Sequence, residues 1–224
     1  MRPKVACLFL ALCVSVTGAT ALSVTDIDAN AGILAIGTWP PAGYGGPNPA
    51  LASLVGVSVP LWLTNVFFVE PDLELFGTYY EWTYDAATAV PTLYESAGSF
   101  FTLGALVSAQ AGVSLPVSAA VSLGGSLGLD FVLRFPLEFF NPLPESVNGK
   151  DPALAYLFAE GRFFYPESRI FLRWTMTPTL TFIANLRVLY PLFHAWDGSG
   201  QPFLDQLMAS AGVGVAFRLP GSAR

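Results

Sequence analysis

The chain has 224 residues, of which 53% are hydrophobic and 12% charged, with a formal net charge of −6 and a mean hydropathy of +0.55. That is too apolar for an exported soluble domain, while 21 glycines and 18 prolines are too many for a helical bundle. Ten basic residues, nowhere clustered, against sixteen acidic ones exclude a nucleic-acid binder.

The first element predicted is a secretory signal peptide. Met1-Arg2-Pro3-Lys4 precedes an uncharged run, Val5 to Val16, and the small-x-small site Ala19-Thr20-Ala21, so cleavage is expected after Ala21. The run is too short to span a bilayer. Both cysteines, Cys7 and Cys13, fall inside it. The mature part, residues 22–224, then has no disulfide, no thiolate nucleophile and no cysteine metal site. Leu12 stands where lipidation at Cys13 would need a small residue. Loss of Arg2 and Lys4 leaves eight basic residues against sixteen acidic, a net charge of −8 on a single domain.

Two long uncharged runs follow, 29–69 and 96–129. Each is long enough for a membrane helix, yet the first holds five prolines and the second is rich in glycine and serine. The second alternates. Val121, Leu123, Leu127, Leu129, Phe131 and Leu133 share one face, with Ser122, Gly124, Ser126, Gly128 and Asp130 on the other. Alternation predicts eight strands at about 24–37, 51–59, 67–84, 97–115, 119–134, 153–165, 169–190 and 204–219. Strand one turns Asp26, Asp28 and Asn30 inward. Strand three does the same with Glu70, Asp72, Glu74 and Thr78. The seventh carries the strongest signal, with Arg173, Thr175, Thr177, Thr179, Thr181, Asn185 and Arg187 alternating with an apolar set from Trp174 to Val188.

Short turns are expected near 60–65, 116–118 and 166–167, and longer Pro-, Gly- and Asn-rich loops at 38–50, 85–94, 136–152 and 191–203. That asymmetry fits short periplasmic turns and longer outer loops. Trp39, Trp82, Trp196 and Trp62 are read as an interfacial girdle. A closed antiparallel transmembrane β-barrel satisfies every backbone group in lipid, as an open sheet cannot.

On this pattern the chain resembles the small eight-stranded outer-membrane barrels of the OmpW, opacity-protein and OmpA-barrel kind. The resemblance covers nearly all of the mature part and is one of architecture, without a diagnostic motif. It implies the outer membrane of a double-membraned bacterium, lipid and the barrel-assembly machinery as partners, and a monomer. Such barrels end on an aromatic residue, whereas here Phe217-Arg218-Leu219 is followed by Pro220 to Arg224.

For the interior, a tight turn between Tyr165 and Ser168 would set Glu160 opposite Arg173, with Arg162 on the same face. Together with Asp130 and Glu74 these form the expected lumen network, since buried charges must be paired. Small inward residues (Gly104, Ser108, Gly112, Gly124, Gly128 and Gly212 among them) leave room for a narrow cavity. Three function classes follow: a channel or binding barrel for small, apolar solutes, a surface interaction protein acting through Trp39, Tyr44, Phe140, His194 and Trp196 in the outer loops, and a rim-sited lipid-modifying enzyme. The last would need His194, Ser199 and Asp197, which sit in ordinary loop sequence. No catalytic, metal or cofactor residues are assigned, and no cofactor is expected.

Overall fold

The computed structural model describes residues 23–39, 49–85, 87–96, 98–137, 150–198 and 201–219. Eight long strands carry it: β1 (Asp26–Ile36), β2 (Ala50–Ser58), β3 (Phe67–Thr83), β4 (Ser99–Pro116), β5 (Val121–Pro136), β6 (Phe164–Thr175), β7 (Leu180–Leu189) and β8 (Met208–Arg218). Each pairs antiparallel with the next, and β8 returns to β1 from Met208↔Ile36 to Arg218↔Asp26. The ring is closed: β2 meets β3 over residues 54–58 and 72–76, and the far end of β3 pairs instead with a short strand, Thr88–Thr92. Ile33, Leu51, Val55, Leu127, Ile170, Leu186 and Val213 point outward and are exposed, while Asp28, Glu70, Asp72, Asp130 and Arg187 point inward and are buried. A greasy outside and a charged inside is the arrangement of a barrel in lipid. Among the described residues no helix is long and apolar enough to cross a membrane.

Two expected strands are corrected. The segment 153–165 is not a strand: α1 (Lys150–Phe158) and a 3-10 turn (Ala159–Gly161) occupy most of it. Asp151 lies in the first turn of α1 and Pro152 close behind it, where an acid suits the helix dipole and a proline lacks nothing. α1 buries Ala153, Tyr156 and Leu157 against Tyr80, Ala89 and Phe100.

The long strand 169–190 is a hairpin. β6 and β7 pair from Thr181↔Thr175 to Leu189↔Glu167 around the turn 176–179. Paired residues share a face, and here the two numbers of each pair sum to an even value, so alternation runs through the turn unbroken. Pro178 was its one local mark. Thr177 Oγ1 accepts the backbone N–H of Thr179 and of Leu180 there. Pro166 and Glu167, expected as a turn, lie inside β6. The strand total survived because one false strand offset one missed division.

The lumen is layered, and β3 shows the order. Moving away from the chain termini it turns inward Phe68, then Glu70, Asp72 and Glu74, then Phe76, then Tyr80. The first layer packs Trp62, Phe68 and Phe171, with ring centroids 5.3 and 5.7 Å apart. Trp62 is therefore inside the barrel and not on the girdle. The third layer is apolar, built on Leu34, Leu54, Phe76, Leu106, Val132 and Leu189. The expected cavity beside the glycines is filled. Phe76 lies across from Gly104, Phe68 from Gly112 and Phe171 from Gly124. A Cβ on Gly104 would stand 2.1 Å from the Phe76 ring, and one on Gly124 2.2 Å from that of Phe171. The glycines are where aromatic rings lie flat on the neighbouring strand.

Candidate functional site: the charged lumen

The second layer draws acids and arginines from opposite walls. β1 and β3 contribute Asp26, Asp28, Glu70, Asp72 and Glu74, and β6 and β7 contribute Arg169, Arg173 and Arg187. Arg187 is the hub. Its guanidinium donates to Glu74 and Asp72, approaches Glu167 with Nε 3.0 Å from Oε2, and reaches Ser108 Oγ at 3.4 Å. Arg169 donates to both oxygens of Glu70 at 2.9 and 2.7 Å, a bidentate fork, and to Ser126 Oγ at 3.2 Å. Ser126 donates in turn to Gln110 Oε1 at 2.7 Å. Arg173 donates to Asp28 Oδ2 at 2.8 Å and Asp26 Oδ2 at 3.2 Å. Arg134, fully buried above the apolar layer, donates from Nε to the Tyr80 hydroxyl at 3.0 Å. Between Arg169, Arg173, Trp62 and Phe171 lies a pocket of about 10 Å³, room for a single water.

Of the five residues expected here, Asp130, Glu74 and Arg173 are in the lumen. Glu160 and Arg162 are not, and Glu160 does not oppose Arg173. Glu160 adopts a left-handed conformation (φ 53°) in the 3-10 turn after α1. It pairs with Arg162 at 3.0 Å, and Arg162 also meets Asp197 at 2.9 Å while its guanidinium lies over the Tyr156 ring. The misplaced strand 153–165 is the cause. Arg169, Arg187 and Glu167 were missed as network members, although Arg187 stands on the same alternating face as Arg173.

This second cluster ties down the rim at the end opposite the termini. His194 is buried, with Nδ1 3.0 Å from Asp197 Oδ2 and Nε2 2.9 Å from the Asp205 carbonyl oxygen. Both ring nitrogens are engaged within the rim, to Asp197 and to the Asp205 carbonyl. Asp205 accepts the Trp39 N–H at 2.8 Å. Burial pushes its carboxyl above the ordinary range, against that hydrogen bond and His194, which pull it down. Burial likewise raises the Tyr156 hydroxyl. Trp196 is exposed and donates to the Glu160 carbonyl at 2.8 Å. Tyr44, Phe140 and Ser199 lie outside the described residues, as does the expected signal peptide.

A closed ring of eight antiparallel strands, apolar outside and ion-paired inside, decides the class. The fold is that of the small outer-membrane β-barrels. The chain is similar to the crystal structure of Neisserial surface protein A, at a TM-score of 0.53 and 11% identity, over 89% of this chain and 99% of that one. Looser matches are Ail of Yersinia pestis (TM-score 0.46, 12% identity, 88% and 100% covered) and OprG of Pseudomonas aeruginosa (0.45, 9%, 88% and 98%). No protein-family model matches the sequence. No curated protein matches it either. At these identities the likeness among small outer-membrane barrels is one of fold.

Proposed function

We propose that this chain is an exported, integral outer-membrane protein whose barrel is sealed, and that it acts through the loops at the end opposite its termini. The carrying observation is the filled lumen: an aromatic layer, a charged layer and an apolar layer succeed one another along the same strands. An eight-stranded barrel is just wide enough for its side chains to fill it. That argues against the channel reading. A groove of about 580 Å³ does exist, but it lies on the outer wall among Ala31, Ile33, Leu123, Ile170, Ala184 and Leu186. Lipid chains would occupy it in a membrane, and it offers no route through the barrel.

The surface reading draws support from the loop end itself. α1, the Arg162–Asp197–His194 cluster and the Trp39–Asp205 contact fasten the loop bases to one another. Tyr84, Tyr94 and Trp196 project from that framework as exposed aromatics, the residue class that anchors binding surfaces. The neighbour in Neisseria is by its name a surface protein.

The test has two arms. Refolded protein in planar bilayers should show no steady conductance. Cells displaying it should bind a host or bacterial surface that cells displaying a Tyr84→Ser, Tyr94→Ser, Trp196→Ser variant do not. Steady single-channel steps from the intact protein would return the weight to the solute-passing reading.

A further inference from the structure

The middle of the lumen is not electrically balanced. Arg187 alone faces Asp72, Glu74 and Glu167, and Arg169 is committed to Glu70 by two hydrogen bonds. Asp130 joins the same layer. In the strand register Asp72 lies beside Ser108, Ser108 beside Asp130, and Asp130 beside Tyr165, one inward row across β3, β4, β5 and β6 at about 5 Å per strand. Asp130 is 0% exposed, and among the described residues neither of its oxygens has a hydrogen-bond partner. Asp72 Oδ1 has none either. Five carboxyls thus face two guanidiniums. Among the described residues no other arginine is paired with these acids: Arg173 is held by Asp26 and Asp28 nearer the termini, and Arg134 turns to the hydroxyls of Tyr80 and Tyr165.

Carboxylates shut away from water and lacking a counter-charge do not stay ionised. A metal ion is one way to neutralise them. Among the described residues, however, no three carboxylates or histidines are arranged to hold one. Carboxyls gathered in one dry layer relieve their repulsion in the other way, by taking up protons. We propose that Asp130, with Asp72 two strands away in its row and Glu167 two residues beyond Tyr165 on β6, forms a proton-binding site that is occupied in the folded barrel. The protons come from solvent as the barrel closes. The groups that face them are Glu70 and Glu74 from β3, Ser108 and Gln110 from β4, Tyr165 and Arg169 from β6 and Arg187 from β7.

The consequence has a definite sign. A folded state that binds more protons than the unfolded chain loses stability as pH rises through the range where the folded site releases them. A carboxylate paired with a surface lysine or arginine behaves in the opposite way. The site holds its protons whatever the outer loops bind.

The test uses the refolded full barrel in detergent. Infrared spectra at about pH 8 should show the carbonyl band of protonated carboxylic acid, set apart from the carboxylate bands and slow to shift in heavy water. Asp130→Asn and Glu167→Gln should each diminish it. The temperature at which the compact band is lost on SDS gels should fall as pH rises on the alkaline side of neutrality. Asp130→Asn should remove about one proton from that dependence and be the more stable form at the alkaline end. If the variant does not fold, the spectrum of the unaltered barrel decides alone. Absence of the protonated band overturns the proposal. So does an unchanged pH slope in Asp130→Asn, or stabilisation by added calcium or sodium that the variant loses, which would put a metal cation in the site.

Discussion

Replacing Arg187 with methionine tests the charged layer most directly. The side chain keeps much of its apolar stem and loses the guanidinium that Asp72, Glu74 and Glu167 all face. These side chains are almost wholly buried, Arg187 at 2% and Glu167 at 0% exposure, so solvent screens little of the change. Breaking one buried pair costs roughly 3–5 kcal/mol, because the remaining charge is left desolvated. Arg187 serves three carboxyls, which places the variant at the upper end of that range. Proton uptake by the acids returns part of the loss. Urea unfolding of refolded protein, followed by the gel shift between compact and extended forms, measures it. Adding Asp72→Asn and Glu74→Gln to Arg187→Met should recover stability, since the stranded charges are removed together. Conductance should stay closed in all of these variants, because the apolar layer on Phe76, Leu106 and Val132 still seals the barrel. A loss below about 1 kcal/mol, the size of an exposed pair, would refute the view that this network is dry and structural.

Other outcomes separate the layers. Phe76→Ala should cost about 3–5 kcal/mol and, unlike Arg187→Met, admit a small leak current in planar bilayers. Gly104→Val should destabilise by driving a side chain into the Phe76 ring, and Gly104→Val with Phe76→Ala should fold better than Gly104→Val alone in a refolding assay. Leu127→Arg, at an outward position that is 71% exposed, should cost roughly 2–4 kcal/mol in lipid vesicles, while Thr179→Arg and Leu180→Arg, at and beside the tight 176–179 turn, should both be mild. At the rim, the raised Asp205 carboxyl favours the folded state below its unfolded value and loses that contribution as pH rises through its folded value. Asp205→Asn keeps an acceptor for the Trp39 N–H and should flatten the pH dependence of amide exchange at Trp39.

Alternation read β1 to β5 and β8 correctly, including which acids point inward, because each strand shows lipid one face and the lumen the other. It failed at two places for different reasons. The segment 153–165 mixes apolar and polar residues without a decisive period, and its helix is held by packing on Tyr80 and Phe100, partners more than fifty residues earlier. The β6–β7 turn was hidden because a parity-preserving hairpin leaves the pattern intact. The first error placed Glu160 beside Arg173, and the second hid Arg187 as a hub.

Composition and period-two patterning by themselves settled that this is a membrane barrel and which residues of most strands look inward, since a strand's side-chain direction follows from its own backbone. They did not settle which inward residues meet. Arg187 finds Glu74 and Asp72 across 113 and 115 positions of chain, and Arg173 finds Asp28 across 145. Those partners face one another across the lumen, where the closure of β8 on β1 and the stagger of all eight strands fix the heights. The same stagger lays each phenylalanine over its glycine and turns an apparent cavity into a plug. Direction is a local property of the chain, whereas height and opposition exist only once the ring has closed.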